Sequence, residues 1–149
     1  MTYFLSGATV ISIGLMIGAE LTVWAFIDPI LWKLEEHARS LAVRLFAQKL
    51  GATMPFWYAG NFVLLVVQAV VLRREPAVWP LAAAAAIWAA VIVLTLIFLV
   101  PINNRLARPA PNLSVDMAHR EHMRWDARHR ARVIALGAAF ILLLVGLQV

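Results

Sequence analysis

The sequence predicts an all-α integral membrane protein: one domain, residues 1–149, folded as a bundle of four transmembrane helices. Three observations carry that fold class. Of the 149 residues, 63% are hydrophobic and 14% charged, where a soluble domain holds about 45–50% apolar and about 25% charged residues. The apolar residues fall into four long blocks nearly free of charge. Each approaches the roughly 20 residues that cross a hydrocarbon core of about 30 Å.

The first block, Tyr3–Ile27, carries one charge, Glu20. It has no basic leading segment and is too long for a signal-peptide core, so it reads as a retained helix over about residues 3–27. Gly14 and Gly18 have the small-xxx-small spacing that lets a second helix approach. Asp28-Pro29 is expected to end this helix, because proline pushes the residue before it out of the right-handed region.

Leu31–Leu50 reads as an amphipathic surface helix. Leu34, Ala38, Leu41 and Leu45 form its apolar stripe, with His37 beside it, and Lys33, Glu36, Ser40 and Arg44 fall opposite or at the border. Gly51 is expected to stop it and Pro55 to open the second span, about 54–72. Arg73-Arg74-Glu75-Pro76 forms a polar turn. The alanine-rich third span, about 81–100, suits close helix packing and is closed by Pro101. Asn103–Asn112 reads as a loop. Ser114 suits an N-cap with Asp116 in the first turn, and nothing interrupts the pattern from there to Gly137. The fourth span, about 131–149, is therefore the end of a longer helix whose first four turns lie outside the membrane or at its surface.

The basic residues fix an expected orientation. The first and third connections, with their flanks, hold eleven Lys and Arg residues against two, Arg73 and Arg74, in the second. By the positive-inside rule, as in a bacterial inner membrane, the long connections face the cytoplasm and both termini face outward. The net charge of +5 then belongs to headgroups and topology, and the lipid bilayer is a partner where nucleic acid is not. With no cysteine, disulfides, thiolate metal sites and cysteine nucleophiles are excluded.

Polar groups tolerated at depth mark candidate chemistry. Glu20 lies about 12 Å along the helix from Asp28, where a carboxylate costs several kcal/mol unless it is paired, protonated or wetted. A packing pair with an arginine is the bland alternative to a functional role. On the fourth helix, His122, Trp125, His129 and Arg132 recur at i, i+3, i+7 and i+10, one face of a helix. His119 extends that stripe, and Asp126, four residues from His122, is placed to orient it. A lipid-binding cationic helix would explain Arg120, Arg124, Arg128 and Arg130, but not the separate His/Trp stripe. Asn61 in the second span, and Asn103 and Asn104 at the end of the third, complete a set converging on one half of the bundle.

Two chemistries suit that set. An imidazole and a carboxylate can take a proton from an acidic C–H or O–H. Alternatively, His122, His129, His37 and Glu20 offer nitrogen and oxygen ligands to copper or iron. The cofactor is thus none or a histidine-bound metal. No serine-hydrolase, phosphate-loop or dinucleotide fingerprint is present.

Pro101 and Asn103, followed by Trp125, His129 and Arg132, form a P-x-N element and a W-x3-H-x2-R element. They resemble those of a family of small four-helix membrane proteins that includes the fungal anthrone oxygenases. Glu20 and Pro55 also sit where that resemblance expects them. It implies O2-dependent oxidation of a lipophilic phenolic, anthrone-like or quinone-like substrate entering from the bilayer. On that reading His129 is the general base, Glu20 its carboxylate partner and Arg132 the support for an anion. Trp125 stacks on the substrate ring, Asn103 donates to a substrate oxygen, and Asn104 and Asn61 line the site. The alternatives are a carrier or a subunit of a larger complex, favoured by the small size and the Gly14/Gly18 packing face, or a metal storage or delivery protein; a homo-oligomer is a further expectation among partners.

Overall fold

The computed structural model of the chain describes residues 2–106 and 115–148; side chains at 2, 106 and 115–119 fall outside the description. Ser114, the expected N-cap, and the side chains of Asp116 and His119 therefore lie outside the described residues, as does most of the expected Asn103–Asn112 loop. The described residues form six α-helices: α1 (Thr2–Thr22), α2 (Asp28–Leu31), α3 (Glu36–Val71), α4 (Val78–Leu94), α5 (Val100–Leu106) and α6 (Val115–Gly146). Short π turns, Val23–Ile27 and Thr95–Leu99, join α1 to α2 and α4 to α5. No strand occurs among the described residues. Four stretches are long and apolar enough to cross a membrane: Tyr3–Leu31, Glu36–Val71, Val78–Arg105 and Arg120–Gly146. The protein is an integral membrane protein of four spans.

The prolines expected to end helices do not. Pro29 and Pro101 each sit two residues beyond a π turn, and both helices continue through them. A proline ring has no N–H to donate and collides with the carbonyl four residues back. The wider turn, in which the Asp28 N–H reaches the Val23 carbonyl and the Val100 N–H that of Thr95, makes room for the ring while Asp28 stays right-handed. An unpaired backbone has no partner in lipid, which favours this accommodation over a break.

Gly51 and Pro55 likewise lie inside one continuous helix, α3. A glycine stop needs a left-handed residue, and none has positive φ among the described residues. The expected surface helix and second span are thus one element. Its expected apolar stripe faces away from the bundle: Leu41 and Leu45 are exposed, and Leu34, also exposed, lies in the turn before α3, whereas Val43, Ala47 and Leu50 turn inward.

The spans form a closed ring: first against second, second against third, third against fourth, fourth against first. The third and fourth make the most extensive contact, with small residues such as Ala84 and Ala139 buried between them. Gly14 faces Phe140, but a side chain at Gly18 would meet open space. That pair therefore does not form a close helix contact within the chain.

The burial pattern is inverted relative to a soluble protein. Phe56 is 80% exposed and Ile134 65%, while Thr9, Glu20, Asn61, Gln68 and His129 are buried. Lipid accepts the former, but the latter need partners inside. In the half nearer the N-terminus they find them in a seam between the first two spans. Gln68 Nε2 donates to Ser6 Oγ at 2.6 Å and Ser12 Oγ to Asn61 Oδ1 at 2.6 Å. Trp57 Nε1 donates to Ser12 Oγ at 3.1 Å.

Candidate functional site

The other half of the bundle encloses a cavity of about 600 Å³, large enough for a small polycyclic molecule. All four spans wall it. Phe46, Met54, Pro55, Ile92 and Leu96 give apolar surface, and Glu20, Asp28, Tyr58, Thr95, Asn103, Asn104, His122, Trp125, His129 and Arg132 give the polar groups.

At its inner side Glu20 is the hub. Its Oε1 accepts from the Tyr58 hydroxyl at 2.8 Å and its Oε2 from Arg132 Nη2 at 2.7 Å. Arg132 also lies over the Tyr58 ring, 5.6 Å from its centroid. Glu20 and His129 are almost wholly buried, so the guanidinium is what makes this carboxylate tolerable at depth. His129 packs into the same group. Its Nδ1 lies 2.9 Å from Arg132 Nη2 and 3.4 Å from Glu20 Oε2, and its Nε2 lies 3.3 Å from the Glu20 backbone carbonyl. Arginine only donates and a carbonyl only accepts. The contacts therefore assign the neutral tautomer with the proton on Nε2 and the Nδ1 lone pair turned to Arg132.

At the outer side a second pair joins the same two spans. His122 Nε2 is 2.8 Å from Asp28 Oδ1, close enough for charge attraction but without an aligned hydrogen bond. Trp32 meets the His122 ring edge-on at 4.5 Å, and Arg39 lies over Trp32 at 5.1 Å. Between the pairs, Trp125 stacks on His129 at 4.6 Å and 11° and donates its indole N–H to Asn103 Oδ1 at 2.8 Å.

The structure brings together Glu20, Asn103, Asn104, His122, Trp125, His129 and Arg132. Asn61 stands apart: wholly buried, it is bonded into the Ser12/Met16 seam and does not line the cavity. His37 is exposed on the outer turn of the second span. The ligand set of His37, His122, His129 and Glu20 is thus not assembled, and no group of three His, Asp or Glu side chains suited to a metal forms among the described residues. A fixed guanidinium at His129 Nδ1 also opposes a cation there. The residues do not fit that centre, and no step is routed through one. Asp126 does not orient His122, because Arg130, one turn along, binds its carboxylate. That role falls to Asp28, which the sequence reading used only as a helix end.

Tyr58 is a further site residue, beyond those the sequence pattern marks. Tyr58, Asn61, Leu65 and Gln68 are the buried residues of α3, and their spacing of three, four and three is the helical signal that points to it. Three buried polar atoms lack a hydrogen bond among the described residues: Thr95 Oγ1, His122 Nε2 and Arg132 Nε. All three belong to residues that line the cavity.

A family model of the anthrone oxygenases matches residues 43–142. The chain belongs to the anthrone oxygenase family. No curated protein and no solved structure matches it. The matched stretch holds Tyr58, Asn103, His122, Trp125, His129 and Arg132, so the elements that carried the resemblance fall within it. Glu20 and Asp28, the acidic halves of both pairs, come from the span that precedes it.

Proposed function

We propose that the protein is a membrane oxygenase that uses O2 to oxidise a lipophilic phenolic, anthrone-like or quinone-like molecule held in this cavity. The observation that carries the reading is an apolar-walled cavity of about 600 Å³ at whose inner side Glu20, Tyr58, His129 and Arg132 meet. Apolar walls with a few convergent polar groups suit an apolar ring system that bears a few oxygens. A flat apolar molecule reaches such a pocket from the bilayer.

The chemistry follows from charge. An imidazole of the pocket accepts the acidic proton, and Arg132, already held by Glu20, stabilises the anion that forms. The electron-rich anion then reacts with O2. For a methylene flanked by aromatic rings the four-electron balance is CH2 + O2 giving C=O + H2O. Trp125, with one face covered by His129, keeps the ring stack that confines the substrate, and Asn103 retains its amide N–H groups as donors.

The test uses purified protein in lipid nanodiscs with an anthrone. Quinone absorbance and one labelled oxygen atom from 18O2 are expected in the product, with Glu20→Gln and His129→Ala folded but inactive. Equal turnover by both variants would sink the reading. The orientation proposed with it puts the long connections in the cytoplasm and both termini outside. Because the chain lacks cysteine, single cysteines at Lys49 and Glu75 in whole cells report it directly. Labelling of the Lys49 position from outside would reverse it.

A further inference from the structure

Two imidazoles line the cavity, and their surroundings differ in what they let each ring do. His129 donates its Nε2 proton to the Glu20 carbonyl and offers Nδ1 to Arg132, 2.9 Å away. A proton arriving at Nδ1 would break that bond and set a second cation against a guanidinium that never deprotonates. His129 is built to hold Arg132.

His122 has the opposite environment. The Asp28 carboxylate lies 2.8 Å from Nε2. Among the described residues around it, Asp126 pairs with Arg130, Glu121 with Arg105 and Arg124, and Arg39 lies over Trp32. A carboxylate facing Nε2 can accept a proton carried there, which leaves the Nδ1 lone pair for another partner.

Resting on the oxygenase reading above, we infer that His122, oriented by Asp28, is the general base of this site, and that His129 is a positioning residue for the anion-holding Arg132. In the step, the substrate's acidic O–H or C–H bond breaks and an N–H bond forms at His122 Nδ1. The electron pair stays on the substrate as an anion facing Arg132, and no electron changes hands until O2 enters.

The experiment uses a dihydroxyanthraquinone dye, whose visible band shifts to longer wavelength on ionisation, and the full protein in nanodiscs. The wild type is expected to bind the dye ionised in a buffer where the free dye is neutral. His122→Gln should bind it neutral and oxidise anthrone about a hundredfold more slowly. His129→Gln should bind more weakly, through a loosened Arg132, yet hold the bound dye ionised. Asp28→Asn, which keeps His122 in place, should reproduce the neutral spectrum even where His122→Gln fails to fold, and Asp28→Glu should restore the ionised form. Ionised dye in both Asp28→Asn and His122→Gln overturns the assignment of the base. Failure of the folded wild type to bind dye or oxidise anthrone overturns the pocket reading itself.

Discussion

The inner and outer histidine–carboxylate pairs are built from the same residue types on the same two spans, yet they are different devices. Glu20 and Asp28 are eight residues apart on the first span, and His129 and His122 seven apart on the antiparallel fourth. At 1.5 Å per residue they are two rungs about 11 Å apart. One substituent separates them: Arg132 enters the inner rung and bonds both of its members. The guanidinium offsets the pull of the Glu20 carboxylate on His129 and occupies the Nδ1 lone pair, so the inner rung is an electrostatic fixture. The outer rung, without arginine between its members, keeps its carboxylate for its histidine. A histidine–carboxylate contact alone therefore does not identify a base; the third group decides.

Removing the third group has the largest expected effect. Arg132→Leu leaves the Glu20 carboxylate buried without its guanidinium, beside the Tyr58 hydroxyl and His129, and losing one member of a buried pair costs about 3–5 kcal/mol. Arg132→Leu combined with Glu20→Gln removes both charges and should recover most of that loss, because replacing a whole buried pair is often close to neutral. Reversible unfolding in detergent measures both. A single variant no less stable than the double would show that Glu20 is not held by Arg132. The uncharged seam at the other end provides the scale. Asn61→Leu breaks the Ser12 and Met16 contacts and should cost about 1 kcal/mol, typical of hydrogen bonds between membrane helices. It should leave anthrone turnover unchanged, since Asn61 does not reach the cavity.

The same contrast explains what the sequence made legible. Four spans could be read because lipid imposes their length and polarity, and Glu20 and the His/Trp/Arg stripe because each violates that rule at depth. Helix ends were misread where local propensity met the membrane's demand for paired backbone. Pro29, Gly51, Pro55 and Pro101 are breakers in water, yet here each is absorbed into a continuing helix. Asp28 escaped notice for that reason. Placed just before a proline it reads as a terminus, but the π turn carries the helix past it and puts its carboxylate on His122. Asn61 misled in the opposite direction: its depth marked it as polar and buried, but periodicity cannot say whether a buried amide meets a neighbouring helix or a cavity. Only the register between the first two spans, which pairs Asn61 with Ser12, decides that.

The smallest expected effect sharpens the comparison from outside the membrane. Glu35 caps the second span, accepting from the Ala38 and His37 backbone N–H groups at 2.7 and 3.2 Å. Those bonds, Ala38 first, hold its carboxyl below the usual glutamate range. A carboxyl whose folded value is depressed stabilises the fold above its unfolded value and loses that contribution as pH falls through the folded one. Acid should therefore free the first amides of α3. Arg39, whose N–H bonds the Glu35 carbonyl at 2.9 Å, carries the guanidinium stacked on Trp32, and Trp32 packs on His122. Loosening the cap reaches the outer rung first through that chain of contacts, and reaches Arg132 and Glu20 only through two further rings, Trp125 and His129. Hydrogen exchange, corrected for intrinsic rate, should show protection at His37 and Ala38 falling in acid for the wild type and already low at neutral pH in Glu35→Ala. The amide of Arg132 should be unaffected in both. Equal protection at His37 and Ala38 in the two proteins at neutral pH would remove the cap from the account and leave the outer rung held by Asp28 and Trp32 alone.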